Sequence, residues 1–267
     1  MVSSPDYVLS FVVPAYNEEN YLGACLESIL AQIAGREHQF EIAVVNNAST
    51  DGTREIALRY PGVTVVDEPR KGLTFARQAG FLNTSGALIA NVDADSRLTP
   101  GWIDRVLESF AAAPQLVVLS GPFIFYGLTP VQLVGVRIFY LIAWMSYAVN
   151  RYILRVGSMV QGGNFVVSRA SLEAIGGFNT AISFYGEDTD IARRLNDVGE
   201  VRFTFDLKMS SSARRLKSEG MLTMAARYSI NYLWTTFFKR PFTNTYVDIR
   251  EAQALPNTLA PEPQAEA

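Results

Sequence analysis

The sequence predicts an α/β fold, with a mostly parallel central sheet, flanking helices and a C-terminal helical extension. Three observations carry this. Through about the first 125 residues, short and continuously apolar runs alternate with segments of 3.6-residue periodicity, the pattern of strands buried on both faces between covering helices. Polar clusters follow the first, second and fourth apolar runs, which a parallel sheet would gather at one edge, where such sheets hold ligands. The chain of 267 residues, 49% hydrophobic and 18% charged, is long enough for one large α/β domain with additions.

The elements follow in order. Tyr7 to Val13 is a first strand ended by Pro14, and Asn17 can cap a helix in which Leu22, Cys25, Leu26, Ile29, Leu30 and Ile33 share a face. Phe40 to Val45 is a second strand, followed by a short helix over Asp51 to Tyr60, with Thr50 or Asp51 as its cap and Pro61-Gly62 as its stop. Val63 to Val66 is a third strand, Leu73 to Leu82 a helix, and Ala87 to Val92 the fourth strand. Thr99-Pro100 opens a further helix through Trp102, Val106, Leu107 and Phe110.

The second half is less regular. Leu128 to Val149 is apolar and aromatic, interrupted by Arg137, and approaches a spanning length. Three readings stay open for it: packing in a core or subdomain, contact with a membrane surface, or a true span. Gln161 to Val167 is a Gly-rich turn entering a strand, and Gly186-Glu187-Asp188-Thr189-Asp190 opens a helix carrying Ile191, Leu195 and Val198. The segment from Ala252 onward, rich in Ala, Pro, Gln and Glu, reads as disordered.

Composition excludes several chemistries. Cys25 is the single cysteine, so no intramolecular disulfide can form, and His38 is the single histidine, which removes His-rich zinc sites and a Ser-His-Asp triad together. Net charge is −3, so nothing global points to nucleic acid. Locally, Val201 to Arg240 carries Arg202, Lys208, Arg214, Arg215, Lys217, Arg227, Lys239 and Arg240 against Asp206 and Glu219. With its interleaved aromatic residues this basic segment suits an anionic partner, phosphate or lipid. Met1 to Asp6 shows no signal-peptide pattern. The expected place is therefore cytoplasmic, peripheral at the inner face of the cell membrane wherever the apolar segments meet it.

Asp93-Ala94-Asp95 is the most informative element. Two carboxylates one residue apart, at the end of a buried strand, suit a hard divalent cation that can in turn grip a diphosphate. A solvated strand-to-turn junction would also use Asp. The company this pair keeps favours the metal: Pro14-Ala15-Tyr16-Asn17-Glu18-Glu19 and Asn46 to Thr53 end the neighbouring strands, and helix capping accounts for one polar residue per junction, not four or five.

These blocks resemble the glycosyltransferase family 2 enzymes of the GT-A fold, a likeness that covers about Leu9 to Arg215 with the motifs in the family's order. Val12 to Glu19 looks like the first nucleotide-binding loop, Val44 to Thr53 like the acidic second loop, and Arg70-Lys71-Gly72 with Ala76 to Gly80 like the segment before the metal strand. Gly162-Gly163-Asn164, Gly176-Gly177-Phe178 and Gly186 to Asp190 match the acceptor-side blocks. The resemblance implies inverting transfer of a sugar from a nucleotide-diphosphate sugar, a UDP-sugar by preference, to an acceptor hydroxyl in synthesis of a cell-envelope glycan or glycolipid. By the same likeness, residues 1–215 form the transferase domain, with 1–125 its nucleotide-sugar and metal half and 126–215 its acceptor half. Residues 216–250 are then an amphipathic helical extension and 251–267 a disordered tail.

The likeness also implies site roles. The donor would be bound by Pro14, Ala15, Tyr16, Asn17, Glu18, Asn46, Asn47, Ser49, Lys71, Gly72, Arg77, Asp93, Ala94 and Asp95, with Arg214 and Arg215 either clamping the diphosphate or forming a surface basic pair. Asp93 and Asp95 would hold Mg2+ or Mn2+. Asp188 would be the general base and Glu187 would orient it or the acceptor, while Gly162, Gly163 and Asn164 border the acceptor. Two departures matter. Asn46 stands where the family usually has an acidic residue against the base, which leaves guanosine open beside uridine, and no histidine follows His38 to complete the metal shell. Water, or Ser210, Ser211 or Ser212, would fill that place. The acceptor reads as a saccharide or a lipid-linked saccharide, because Arg227 to Arg240 interleaves Tyr228, Tyr232, Trp234, Phe237 and Phe238 with basic ends. That segment and Leu128 to Val149 suit a bilayer interface, each other, or a dimer interface, and the oligomeric state stays open.

Two rivals come from other classes. A nucleotidyltransferase would call for a Gly-rich basic loop after the first strand, where Pro14 to Glu19 is acidic and lacks Gly. A non-catalytic sugar-nucleotide binder would have no need of Asp93, Asp95 and Asp188 together.

Overall fold

The computed structural model describes residues 7–149, 153, 159–182, 184–243, 248 and 250. The expected disordered tail lies outside these residues. Strand and helix alternate first as β1 (Leu9–Ala15), α1 (Leu22–Ile33), β2 (Phe40–Asn46), α2 (Thr53–Leu58), β3 (Val63–Asp67), α3 (Leu73–Leu82) and β4 (Leu88–Val92). Then come β5 (Ser96–Leu98), α4 (Trp102–Ala112), β6 (Leu116–Ser120), β7 (Phe123–Tyr126) and α5 (Pro130–Ala148). The remainder is β8 (Asn164–Ser168), α6 (Arg169–Ala174), α7 (Glu187–Asn196), β9 (Glu200–Phe203), β10 (Met209–Ser212), α8 (Arg214–Glu219) and α9 (Met221–Phe238).

The main sheet runs β3-β2-β1-β4-β8-β6-β9 and is mostly parallel, with β8 antiparallel to both its neighbours. A small second sheet, β5-β10-β7, stands beside it. Both faces of the main sheet are covered, which is why its strands read as unbroken apolar runs. Phe11 and Val13 of β1 pack with Leu26 and Ile29 of α1 and Trp102 and Val106 of α4. Val12, pointing the other way, packs with Ala76 of α3, Leu172 of α6 and Ile191 and Leu195 of α7.

Several boundaries differ from the sequence reading, each for a local reason. Pro14 does not end β1, which continues to Ala15. The β1–β4 register stops at Val12 and Asn91, so Pro14 lies where only β2 flanks the strand. Asn17 does not cap α1, which begins at Leu22 after Tyr21. The helix after Gly186 ends at Asn196, leaving Val198 exposed beyond it. The α4 helix starts at Trp102 after Gly101, two residues later than Thr99-Pro100 suggests. The strands β6 and β7 are additions to the sequence reading. The expected boundary at 215/216 falls inside α8.

Candidate active site

Because β1, β2 and β4 are parallel, their carboxyl ends share one edge, and antiparallel β8 brings its amino end, Asn164, beside Val92 at that edge. The loops after β1 and β2 clasp each other there. Asn17, at a positive φ of 50°, accepts from the Thr50 backbone N–H at 2.8 Å, and the Glu18 N–H donates to Thr53 Oγ1 at 2.7 Å. Ser49 Oγ accepts from the Asn17 N–H at 3.2 Å. Asn47 braces the next loop in a similar way, its Oδ1 accepting from the Gly72 N–H at 2.8 Å and its Nδ2 donating to the Arg70 carbonyl at 2.7 Å. These residues, expected to bind donor, shape the loops at this edge.

At the end of β4 the chain turns sharply, the Ser96 N–H donating to the Asp93 carbonyl at 2.9 Å. Ala94 is buried in the core, and the carboxylates either side are partly exposed to a cleft. Asp93 rests on Gly163, whose φ is +79°. A β-carbon there would lie 2.1 Å from Asp93 Cγ, so only glycine lets β8's entry turn and the carboxylate occupy this space. The buried Cys25 thiol donates to the Asp93 carbonyl at 3.7 Å, and burial pushes that thiol's pKa up.

Two arginines balance the acidic edge from later in the chain. Arg214, at the start of α8, donates through Nε to Asp95 Oδ2 at 3.1 Å and through Nη2 to buried Glu18. Arg250 Nε donates to the same Glu18 oxygen at 2.7 Å. Burial pushes Asp95 up to about 7, with Arg214 pulling the other way. Lys71 Nζ lies 2.8 Å from the Tyr16 hydroxyl, 4.0 Å from the centre of that ring and 2.8 Å from Asp248.

Across the cleft the start of α7 presents Glu187 and Asp188. Arg77, 1% exposed in the interior of α3, is the link. Its guanidinium pairs with Glu187, stands 3.7 Å from Asp93 and packs over the Phe165 ring at 5.3 Å. Gly162 marks the meeting point. A methyl group there would lie 3.0 Å from Glu187 Oε1, 3.6 Å from Arg77 Nη2 and 3.7 Å from Asp188 Oδ2. Burial raises Asp188, against the Thr189 and Gly162 N–H groups that donate to it. Burial also pushes Glu187 up to about 7, opposed by Arg77.

One cleft of about 1030 Å3 is lined by Pro14, Ala15, Tyr16, Asn47, Lys71, Gly72, Arg77, Asp93, Ala94, Asp95, Gly162, Glu187, Asp188, Arg214 and Arg215. Of the expected site residues, Asn17, Glu18, Asn46, Ser49, Gly163 and Asn164 do not line it, and Glu18, Asn46 and Asn164 are buried behind it. Asn164 is a correction: it is wholly buried, its Nδ2 donating to the Gly121 and Leu207 carbonyls at 2.9 and 2.8 Å and its Oδ1 accepting from Trp102 Nε1 at 3.1 Å. With its polar atoms used inside the fold it cannot border an acceptor. Arg215 is held at 2.9 Å from Glu219 and over Phe184, whereas Arg214 is the one paired with Asp95. Sequence reasoning missed Arg250, which carries no local signal, and Gln161, one residue before the Gly pair.

The oxygen-only donor set at the edge fits a hard cation such as Mg2+ or Mn2+. Among the described residues no group of three or more His, Cys, Asp or Glu stands ready as a complete metal shell. Asp93 and Asp95 are the residues that would hold such an ion, a pair small enough to suit Mg2+, which commonly keeps several waters.

The family described as "Glycosyl transferase family 2" matches residues 10–176. A dolichyl-phosphate beta-glucosyltransferase of Trichomonas vaginalis is 39% identical over 97 residues, which is 33% of this chain and 30% of that protein. A dodecaprenyl-phosphate galacturonate synthase of Rhizobium johnstonii is 37% identical over 106 residues, 38% of this chain and 31% of that protein. The chain thus spans under two fifths of the length of the curated relatives it matches. A mannosyltransferase from Pyrobaculum calidifontis, solved in complex with GDP-Man and Mn2+, superposes with a TM-score of 0.65 at 22% identity, covering 88% of this chain and 66% of that one. That likeness shows the α/β fold, of GT-A type.

Proposed function

The chain belongs to glycosyl transferase family 2, and on that premise we propose that it transfers a sugar from a nucleotide-diphosphate sugar to an acceptor hydroxyl with inversion. The observation that carries this is the meeting at one cleft of the Asp93–Asp95 pair with Asp188, joined through buried Arg77. Asp188, in reach of the cleft and ionised when deprotonated, accepts the acceptor's hydroxyl proton while that oxygen forms the new bond to the sugar and the bond to the diphosphate breaks. Lys71 and Arg214 face the same cleft and suit the diphosphate. A divalent cation held by Asp93 and Asp95 would supply neutralisation of charge on the departing group. Glu187, engaged by Arg77, positions the base rather than acting as one.

Uridine is the favoured base. Asn46 Nδ2 donates to Asp67 Oδ1 at 2.8 Å, while its buried Oδ1 has no hydrogen-bond partner among the described residues. That oxygen sits behind the cleft wall, and an acceptor there suits a uracil N–H and the ring N–H of guanine alike, so the preference for uridine rests on the family likeness. The acceptor is a saccharide or lipid-linked saccharide of the cell envelope, reached by peripheral contact at the inner membrane face. The lipid-phosphate names of the two relatives above are consistent with this.

The test is a thermal-shift panel of UDP, GDP and their sugars with and without Mn2+. UDP compounds near a hundredfold their Kd are expected to stabilise the chain by about 2.7 kcal/mol, several degrees in Tm, in a metal-dependent manner. A panel without any nucleotide response rejects the reading. Slow release of pyrophosphate rather than nucleoside diphosphate from the donor would favour a nucleotidyltransferase instead.

A further inference from the structure

We propose that the half of the cleft lying between α5 and α9 binds the hydrocarbon chain of a lipid-carried acceptor, whose polar head then reaches Asp188. This rests on the sugar-transfer reading above and narrows its acceptor class. The cleft does not stop at the carboxylates. It continues without a break between the two helices, walled by Phe139, Ile142 and Ala143 of α5 and by Leu222, Ala225 and Leu233 of α9. Charge is nearly absent from these walls. Arg137 is the one charged residue in the sequence of α5 and Arg227 the one in α9. Arg227 is occupied, paired with Glu219 and donating to the Tyr185 hydroxyl at 3.1 Å.

The walls are built to stay apart from the core. α5 buries only Tyr140 and Tyr147 along its length, and both tyrosines are tied by hydrogen bonds, Tyr140 accepting from the Phe123 N–H at 3.0 Å and Tyr147 donating to the Val201 carbonyl at 3.3 Å. α9 is anchored to α7 where Gly186, at a φ of +83°, leaves room for Thr235. At the start of α9, Leu222 is 88% exposed. An apolar groove that opens from a polar reaction site has the shape of an amphiphile, with the chain replacing water along the walls and the head at the carboxylates. A free saccharide would leave most of its hydroxyls unpaired along the same path, at a cost for each.

The test measures binding of butyl, hexyl, octyl and decyl phosphate, each below its micelle concentration, to the full chain by calorimetry. Burial of each methylene is expected to tighten Kd about fourfold until the groove is filled. Ala225→Trp, which fills the groove from α9, is expected to flatten the series while leaving Mn2+-dependent UDP binding within twofold of wild type. A Kd that does not change with chain length overturns the proposal, as does an Ala225→Trp variant that binds decyl phosphate as tightly as wild type. Sedimentation showing two copies closing the groove, with alkyl phosphates excluded, overturns it too. The two readings fail separately: a steep chain-length series without binding of any nucleotide in the panel sinks the transfer reading, and nucleotide binding with a flat series sinks this one.

Discussion

Arg77 has the most consequential environment of any single residue. A guanidinium buried this deeply is tolerable only when carboxylates surround it, and here they come from both sides of the cleft: Asp93 from the end of β4, Glu187 and Asp188 from α7. The arrangement leaves Asp188 close to a cation without consuming it in a short pair, which suits the base role proposed for it. Burial raises its pKa above the ordinary 3.8, so the ionised, base-competent form is lost as pH falls through that raised value and gained as pH rises through it. Turnover is therefore expected to drop on the acid side, with its limb shifted toward neutrality compared with an ordinary aspartate. Asp188→Asn should lower kcat by about 10²–10⁴-fold with donor affinity retained, and should abolish that limb. Steady-state rates across pH check both. A variant within tenfold of wild type rules Asp188 out as the base.

At the scale of elements, the decisive joint is that between β4 and β8. Gly162-Gly163 reads in the sequence as a turn bordering an acceptor; in the fold Gly163 is what lets Asp93 stand where it does. Gly163→Ala meets two penalties at once: about 1–2 kcal/mol for a β-carbon in left-handed backbone, and a collision with Asp93 that turns the carboxylate away. Mn2+-dependent donor affinity is expected to fall at least tenfold by calorimetry. Gly176→Ala, at a φ of +75° with nothing within 4 Å of the new methyl, carries the backbone strain alone and should lose stability but keep metal dependence. Equal donor affinity in Gly163→Ala and wild type defeats this account. The same joint separates what is legible in the sequence from what is not. The alternation of β1 to β4 and the shared edge can be read directly, because periodicity and strand composition are local. The role of Asn164 cannot, since Trp102, Gly121 and Leu207 are its partners and lie 43 to 62 residues away. Asn17 misleads for a similar reason: a capping residue by type, it bonds instead to Thr50 in the next loop.

Taken whole, the molecule has two unlike sides. Net charge is −3, yet the side formed by α5 and α9 exposes Val131, Leu141, Met145, Leu222, Phe237 and Phe238 and is followed at the α9 end by Lys239 and Arg240. By length and composition α5 could cross a membrane, but its cleft-lining residues and the two buried tyrosines bind it to the globular body, which favours lying on a bilayer over crossing it. The sequence shows the apolar stretch and the basic-aromatic segment without showing that they face one cleft, because that depends on the long path of the chain through β8 and α7. An apolar face bounded by lysine and arginine should partition onto anionic vesicles. The full chain is expected to float with vesicles of phosphatidylcholine mixed with phosphatidylglycerol, and less at raised salt, which screens the basic residues. Phe237→Glu with Phe238→Glu, at positions 52% and 57% exposed, should leave the circular dichroism spectrum unchanged. It should lower the partition constant at least tenfold, since burying one phenylalanine is worth roughly 1.5–3 kcal/mol. Flotation undiminished in that variant would move the contact elsewhere on the surface, and a chain that never floats, at low salt and with intact fold, would refute the bilayer contact altogether.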